Sequence, residues 1–182
     1  MTDFGSVRRV AFGLGSNLGD RLSHLQSAVD RIVSRPTETA VSVSKVYETD
    51  PIGGVDQPDF LNAVLVVDST ATVAGLLILA HECEAAAGRL RTDRWGPRTL
   101  DVDVLAVNGV SSNDPALILP HPRIAEREFV LRPWADADPE FVVGDGITVK
   151  ELLTQVTAGG VRESHLHLHL HSHGHSHGDL GQ

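Results

Sequence analysis

The sequence predicts an α+β fold in which helices pack on a mainly antiparallel sheet. Two long segments carry apolar residues at helical spacing, and four others have the continuous or alternating apolar pattern of strands. In chain order, the predicted elements are a strand at 7–15, a helix at 20–35, strands at 39–49 and 60–69, a helix at 72–88 and a strand at 99–109. The order β-α-β-β-α-β is the ferredoxin-like arrangement, so both helices should cover one face of the sheet.

Local signals justify the boundaries of these elements. Asp20 can cap the first helix and Pro36 stops it, while the second helix begins near Thr72 and ends at Gly88. The glycine-rich run at 13–20, GLGSNLGD, is interpreted as a strand-to-helix turn. It matches neither G-x-G-x-x-G nor G-x-x-x-x-G-K-[ST], the two common phosphate-binding patterns.

The C-terminal region has a different composition. Residues 147–156 predict a final helix, whereas residues 165–178 contain seven of the ten histidines of the chain. We therefore expect one domain at 1–158, followed by a disordered, His-rich tail at 159–182 that can bind Ni²⁺ or Zn²⁺. The tail is either an engineered purification segment, which we favour, or a natural metal-buffering extension.

The composition excludes several classes of protein. The net charge of −9 over 182 residues argues against a nucleic-acid-binding protein, because such proteins need a basic surface to displace counterions. No apolar run reaches the length of about 18 residues that a membrane span needs, and the N-terminus lacks the apolar stretch of a secretory signal. The single cysteine, Cys83, cannot form an internal disulfide, so the predicted compartment is the cytoplasm.

Two aspartates interrupt the apolar pattern of the last predicted strand. Because side chains alternate along a strand, Asp101 and Asp103 should project from one face, about 6.5–7 Å apart. Leu100, Val102 and Val104 should then enter the core from the opposite face. Such a carboxylate pair can hold Mg²⁺, which prefers one or two protein carboxylates together with water and substrate phosphates. A solvated strand face without a ligand is the alternative.

A cluster of arginines precedes these aspartates. Arg89, Arg91, Arg94 and Arg98 lie within ten residues of an otherwise acidic chain. The cluster is either a solvated loop or a clamp for a compact polyanion, since the guanidinium fork matches phosphate oxygens in pairs. Arginines that converge with a carboxylate-held metal are the components needed for phosphoryl transfer.

Aromatic and amide side chains predict a second recognition element. The stretch at 47–63 is rich in proline and glycine, and Phe60 and Asn62 should share one face of the strand that follows. An amide presents donors and acceptors in one plane, which suits a heterocycle with an amidine–lactam edge, although a structural asparagine is the alternative. Trp95 and Phe129 are further aromatic residues beside charged segments, as a stacking pocket needs.

Two cationic side chains in the C-terminal third are also candidates. His121 lies between prolines in LPHPR, and Arg127 lies in EREF. An exposed loop histidine and a simple salt bridge are the ordinary interpretations. Beside a triphosphate, both side chains could instead contact phosphate oxygens.

Four segments together resemble a known family. They are GLGSNLGDR, DQPDFLNAV, RWGPRTLDVDVL and LPHPRIAEREFVLRPW, and they are similar to the signature segments of the 6-hydroxymethyl-7,8-dihydropterin pyrophosphokinases of folate biosynthesis. The resemblance extends over about residues 7–156 and implies that the domain at 1–158 is a pterin pyrophosphokinase. It further implies transfer of pyrophosphate from ATP to the pterin hydroxymethyl group, which gives AMP and the pterin diphosphate.

The resemblance also implies roles for individual residues. Asp101 and Asp103 match the pair that holds two Mg²⁺ ions around the ATP phosphates, and catalysis is implied for Asp101, Asp103, Arg89 and Arg98. The residues that match ATP-binding positions are His81, Glu84, Arg89, Arg91, Arg98, His121 and Arg127. The residues that match pterin-binding positions are Thr49, Asp50, Pro51, Ile52, Phe60, Asn62, Trp95 and Phe129.

This chain departs from the family pattern at a few positions. Asp50 stands where many members carry a proline or an apolar residue, Phe60 where a tyrosine is frequent, and His81 where familiar members have glutamine. A non-catalytic metal-binding protein that uses the His-rich tail is the alternative function. It leaves the arginine cluster and the aspartate pair unexplained, so we favour the enzyme.

Overall fold

One antiparallel sheet forms the centre of the structure. The computed structural model describes residues 6–51, 57–88 and 99–171. The strands within these residues are β1 (Arg8–Ser16), β2 (Glu38–Val43), β3 (Tyr47–Thr49), β4 (Phe60–Ser69), β5 (Asp101–Val107), β6 (Ser112–Asp114), β7 (Leu117–Leu119), β8 (Val142–Val143), β9 (Ile147–Thr148) and β10 (Val161–Glu163). The helices there are α1 (Arg21–Val33), α2 (Val73–Ala86), α3 (Glu128–Ala137) and α4 (Val149–Gln155).

The strand order confirms the predicted ferredoxin-like core. The order across the sheet is β10-β3-β4-β1-β5, and β2 also pairs with β4. The strand predicted at 39–49 is therefore two strands, β2 and β3, which both pair with β4. Between them, Ser44 donates its amide to the Val64 carbonyl and accepts the Val64 amide on its hydroxyl, both at 2.9 Å. A serine side chain thus replaces one rung of the ladder where the strand is interrupted.

The two predicted helices share one face of the sheet, as expected, and a second helical layer covers the other face. α1 and α2 pack on one face, where Leu25 and Ile32 lie against Phe12 in the main core. α3 and α4 form a second core on the other face, with Leu131 and Trp134 fully buried. The helix α3 was not predicted, because its apolar residues lie in a proline-containing stretch that reads as irregular structure.

The predicted helix ends are confirmed. The Asp20 carboxylate accepts the Ser23 amide at 3.1 Å, and the Thr72 hydroxyl accepts the Gly75 amide at 3.1 Å. Each cap satisfies a backbone donor that has no partner within the first turn of a helix. Gly88, with φ of +69°, follows α2 and allows the chain to leave the helix.

The disordered tail predicted from residue 159 is wrong for residues 159–171. Residues 161–163 form β10, which pairs with β3 at the edge of the sheet. Beyond β10, Leu168 is only 8% exposed and belongs to the main core. The Gln26 side chain on α1 makes two hydrogen bonds of 2.9 Å with the backbone of His169. Leucines that alternate with the histidines give this segment an apolar face, which composition alone does not reveal. Residues 172–182 lie outside the described part of the chain.

In the described ranges, no helix combines the length and the hydropathy that crossing a bilayer needs.

Candidate active site

The aspartate pair lies on β5, the strand at one edge of the sheet. In the pairing with β1, Asp101 is opposite Gly15 and Asp103 is opposite Gly13. Both carboxylates are half-buried, and Val102 between them is 4% exposed in the core shared with α1 and α2. The aspartates therefore project from the face opposite these helices, as the alternation predicts.

Glycines beside the aspartates leave space over this part of the sheet. A Cβ on Gly13 would lie 3.1 Å from the Leu105 side chain, and a Cβ on Gly15 would lie 3.1 Å from Asn62 Oδ1. Both distances are tighter than most Cβ contacts, so a side chain at either position would require the neighbouring side chain to shift by a few tenths of an ångström. β1 therefore contributes only backbone to the floor between the carboxylates and Asn62.

Glu84 on α2 supports β5 between the two aspartates. Its carboxylate is 5% exposed and accepts the Val102 amide at 3.0 Å. This hydrogen bond satisfies a donor at the sheet edge, because in the described residues β5 pairs with β1 on one side and with no strand of this sheet on the other. Sequence reasoning placed Glu84 at the nucleotide but did not foresee this contact.

Two cavities share the aspartates. The first has a volume of about 390 Å³ and the second of about 430 Å³, and Asp101, Asp103 and Arg127 line both. Predicted pterin residues that line the first cavity are Thr49, Asp50, Phe60, Asn62 and Phe129. Predicted nucleotide residues that line the second are His81, Glu84, His121 and Arg127. The two predicted groups therefore occupy separate cavities that meet at the carboxylates.

The first cavity combines aromatic rings with an oriented amide. Phe60 and Phe129 line it, and the Arg127 guanidinium lies 5.6 Å from the centroid of the Phe129 ring. Asn62, which is 8% exposed, donates from Nδ2 to Thr49 Oγ1 at 2.7 Å. This bond ties the amide to β3 and holds it beside the cavity.

A half-buried arginine and a half-buried histidine flank the carboxylates. Burial lowers the pKa of Arg127, and the nearby Asp103 charge partly offsets this effect. Burial also lowers the pKa of His121, and Arg127 lowers it further, while Asp101 partly offsets this, so the surroundings favour the neutral imidazole. His121 Nδ1 accepts the Arg123 amide at 3.4 Å, which leaves the proton of the neutral ring on Nε2.

Some predicted residues cannot be placed in the site. Ile52, Arg89, Arg91, Trp95 and Arg98 lie outside the described residues. Pro51 does not line the described part of either cavity.

Sequence reasoning missed three polar residues that line the first cavity. They are Gln57, Arg123 and Glu126. Their signal was present, because Gln57 lies in DQPDFLNAV and the other two lie in LPHPRIAEREF. Asn17 Nδ2 donates to Gln57 Oε1 at 3.0 Å, so the β1–α1 turn positions this wall.

Comparison with known proteins decides the family. The family model for 7,8-dihydro-6-hydroxymethylpterin-pyrophosphokinase (HPPK) matches residues 11–139. The chain belongs to this family. A 2-amino-4-hydroxy-6-hydroxymethyldihydropteridine pyrophosphokinase of Methylorubrum extorquens is 44% identical over 155 residues, which are 85% of this chain and 98% of the relative. The enzyme of the same name from Pseudomonas aeruginosa is 38% identical and covers 85% of this chain and 96% of the relative.

Solved structures agree with the fold. The wild-type Plasmodium falciparum HPPK-DHPS with pterin and p-hydroxybenzoate superposes with a TM-score of 0.61 at 15% identity, over 85% of this chain. The match spans 42% of that longer chain. The predicted family, α+β fold and enzyme class are therefore confirmed, whereas the roles of individual site residues stay predictions.

Proposed function

We propose that the two cavities are the substrate sites of an HPPK that transfers pyrophosphate from ATP to 6-hydroxymethyl-7,8-dihydropterin. The pterin occupies the first cavity and ATP the second. The observation that supports this assignment is that Asp101 and Asp103 line both cavities, so substrates bound in them would meet beside the carboxylate pair. A first cavity of about 390 Å³ is within the usual range for a small-molecule site.

The pterin is recognised by stacking and by its polar edge. Phe60 and Phe129 stack on the two faces of the ring, and Trp95 closes over it. The Asn62 amide, held by Thr49, pairs with the amidine–lactam edge. Thr49 and Asp50 complete the described part of the pocket, and Pro51 and Ile52 stay predicted contacts.

The aspartate pair fits Mg²⁺. Both groups are half-buried oxygen donors on one face of a strand, which is the ligand chemistry of a hard cation. In the described part of the chain, no cluster of three or more His, Cys, Asp or Glu side chains is arranged to hold a metal. Two Mg²⁺ ions held here would take their remaining oxygens from water and ATP phosphates, and when bound they would neutralise phosphate charge.

The chain's own residues orient the transfer. The pterin hydroxyl oxygen attacks the β-phosphorus, the bond from that phosphorus to the α–β bridging oxygen breaks, and AMP leaves with the electron pair. The hydroxyl proton passes to water or to a phosphate oxygen. Arg127, with Arg89, Arg91 and Arg98, offsets the phosphate charge, and His121 donates from Nε2 to a phosphate oxygen. His81 and Glu84 line the nucleotide end of the same cavity.

Product analysis with the substituted enzyme tests this assignment. Asp103→Asn should lower kcat by at least about a hundredfold, since it removes charge from the site where phosphate charge develops. The protein should keep its folded structure, because the carboxylate lies in a cavity and not in the core. The measurement is AMP and pterin diphosphate formed from ATP, Mg²⁺ and the pterin. Asp145→Asn, at an exposed position between β8 and β9, is the matched control.

Either of two results would contradict the proposal. ADP in place of AMP would show single phosphoryl transfer, which is a different reaction. Near-normal turnover by Asp103→Asn would show that this carboxylate does not hold the metal.

The His-rich segment supports a second, separate activity. We propose that residues 165–177 bind Ni²⁺ or Zn²⁺. His165, His167, His169 and His171 are all exposed, whereas Leu166 and Leu168 between them pack against the main core. Retention of the native full chain on immobilised Ni²⁺, lost when these histidines are replaced by serine, tests it. The cytoplasm remains the proposed compartment, and nucleic acid and membranes are not proposed as partners.

A further inference from the structure

The segment at 159–162, here called the C-terminal brace, touches the surroundings of the pterin cavity on three sides. On the first side, Gly159 donates its amide to Glu128 Oε2 at 2.5 Å. Glu128 is 7% exposed and immediately precedes Phe129, which lines the cavity. Its other oxygen, Oε1, accepts two hydrogen bonds from Arg132 on α3, so this anchor is fixed to the helix.

The second and third sides are the two ends of the segment that carries the predicted pterin contacts. Arg162 donates from one guanidinium nitrogen to Asp50 at 2.7 Å and from another to Asp59 at 2.9 Å. Asp50 follows Thr49, and Asp59 precedes Phe60. In addition, the Asp50 amide donates to the Gly160 carbonyl at 3.1 Å. One side chain thus connects the point where the chain leaves β3 with the point where it enters β4.

This bridge gives a physical reason for Asp50. A carboxylate at this position can accept the Arg162 fork, which an apolar residue or a proline cannot. The fork matters because a guanidinium can bind two carboxylates at a fixed separation, whereas an ammonium acts as a point charge.

We infer that the C-terminal brace is a positioning element of the pterin site and that Arg162 is its principal residue. The brace ties Phe129, through Glu128, to the ends of the segment that contains Thr49 and Phe60. It acts on the pterin through these residues, and none of its residues is among the described lining of the nucleotide cavity. The inference rests on the proposed function, because it assigns the first cavity to the pterin.

Binding measurements on the full-length chain test the inference. The probe is oxidised 6-hydroxymethylpterin, titrated in a calorimeter in the presence of Mg²⁺ and a non-hydrolysable ATP analogue. Arg162→Ala should weaken pterin binding by about three- to tenfold, the size expected for the loss of two exposed ion pairs. Arg162→Lys should fall between the wild type and Arg162→Ala. The affinity for the ATP analogue alone should not change.

A neighbouring ion pair provides the matched control. Glu163, also on β10, pairs with Lys45 at 3.0 Å but does not contact Asp50 or Asp59 in the described structure. Glu163→Gln removes one exposed ion pair from the same strand and should leave pterin affinity unchanged. It also controls for any general loosening of the sheet edge.

The possible failures are distinguishable. If Arg162→Ala binds the pterin as tightly as Glu163→Gln does, the brace has no positioning role. An equal loss of affinity for the pterin and the ATP analogue would likewise overturn it, because the effect would be a general loss of structure. If the wild-type chain does not bind the pterin at all, the proposed function fails, and the inference fails with it.

Discussion

Replacement of Glu84 should destabilise the protein through a single backbone amide. The Val102 amide is buried and donates to the Glu84 carboxylate at 3.0 Å. In Glu84→Ala this amide loses its acceptor, and a buried donor without a partner costs about 1–3 kcal/mol. A loss of about 2 kcal/mol corresponds to a decrease in Tm of about 4–8 °C for a domain of this size.

The same change should lower activity, because Val102 lies between the two aspartates that the active site uses. Glu84→Gln keeps an acceptor oxygen and should retain most of the stability and part of the activity. Glu82→Ala is the control, since Glu82 lies on the same helix but forms only an exposed ion pair with Arg35. Urea unfolding and thermal unfolding give the stability, and steady-state rates give kcat and the KM for ATP.

A clear result would refute this reasoning. If Glu84→Ala is as stable as Glu82→Ala and changes only the KM for ATP, Glu84 serves the nucleotide and not the strand. Equal destabilisation by Glu84→Ala and Glu84→Gln would show that the charge, and not the hydrogen bond to Val102, is the stabilising feature.

Two further predictions concern buried ionisable groups away from the cavities. Burial raises the pKa of the Glu38 carboxyl group, which accepts hydrogen bonds from Ser69 and Thr37. The protonated form is therefore favoured in the folded state. The stability that Glu38 contributes is full below the ordinary pKa of glutamate and is lost as the pH rises through the raised pKa. As the pH rises above the ordinary pKa of glutamate, about 4.3, the wild type should therefore lose free energy of unfolding relative to Glu38→Gln in urea titrations. A pH-independent difference would contradict this. Burial also raises the pKa of Cys83 to about 11, so the native thiol should react with a maleimide at least about a hundredfold more slowly than the thiol of the denatured chain. Equal labelling rates in native and denatured protein would show that this helix opens readily.

The face on which the aspartates lie could be predicted from the sequence, but the side chains that surround them could not. Alternation along one strand places Asp101 and Asp103 together, and this needs no knowledge of the rest of the chain. Arg127 and His121 reach the carboxylates only because the segment after β7 folds back, with the His121 amide bound to the Leu105 carbonyl at 2.8 Å. No spacing rule contains that contact, so the sequence offered both residues as candidates without placing them beside the carboxylates.

The second helical layer was missed because local signals and packing disagree there. Pro133 lies inside α3, where it removes a backbone donor and normally opposes a helix. Leu131 and Trp134 on either side of it are fully buried, and their burial favours the helix despite the proline. Helix propensity depends on the local sequence alone. The formation of α3 also depends on the apolar sheet face against which it packs.

The C-terminal segment was misjudged for the opposite reason. Composition dominated by histidine predicts disorder, yet the leucines at alternate positions give the segment one apolar side. Leu168 reaches the main core, and Gln26 fixes the backbone beside it. The two-residue alternation of leucine and histidine therefore predicts the structure of this segment better than its composition does.

The position of β10 has a consequence for synthesis of the protein. β10 pairs with β3, which otherwise presents unpaired backbone groups at the edge of the sheet. Residues 161–163 are translated after every other strand of that sheet, so a nascent chain that already holds β1–β5 still exposes this edge. Ribosome stalling or truncation before residue 161 would therefore release a chain with an open β edge that can pair with other chains and aggregate.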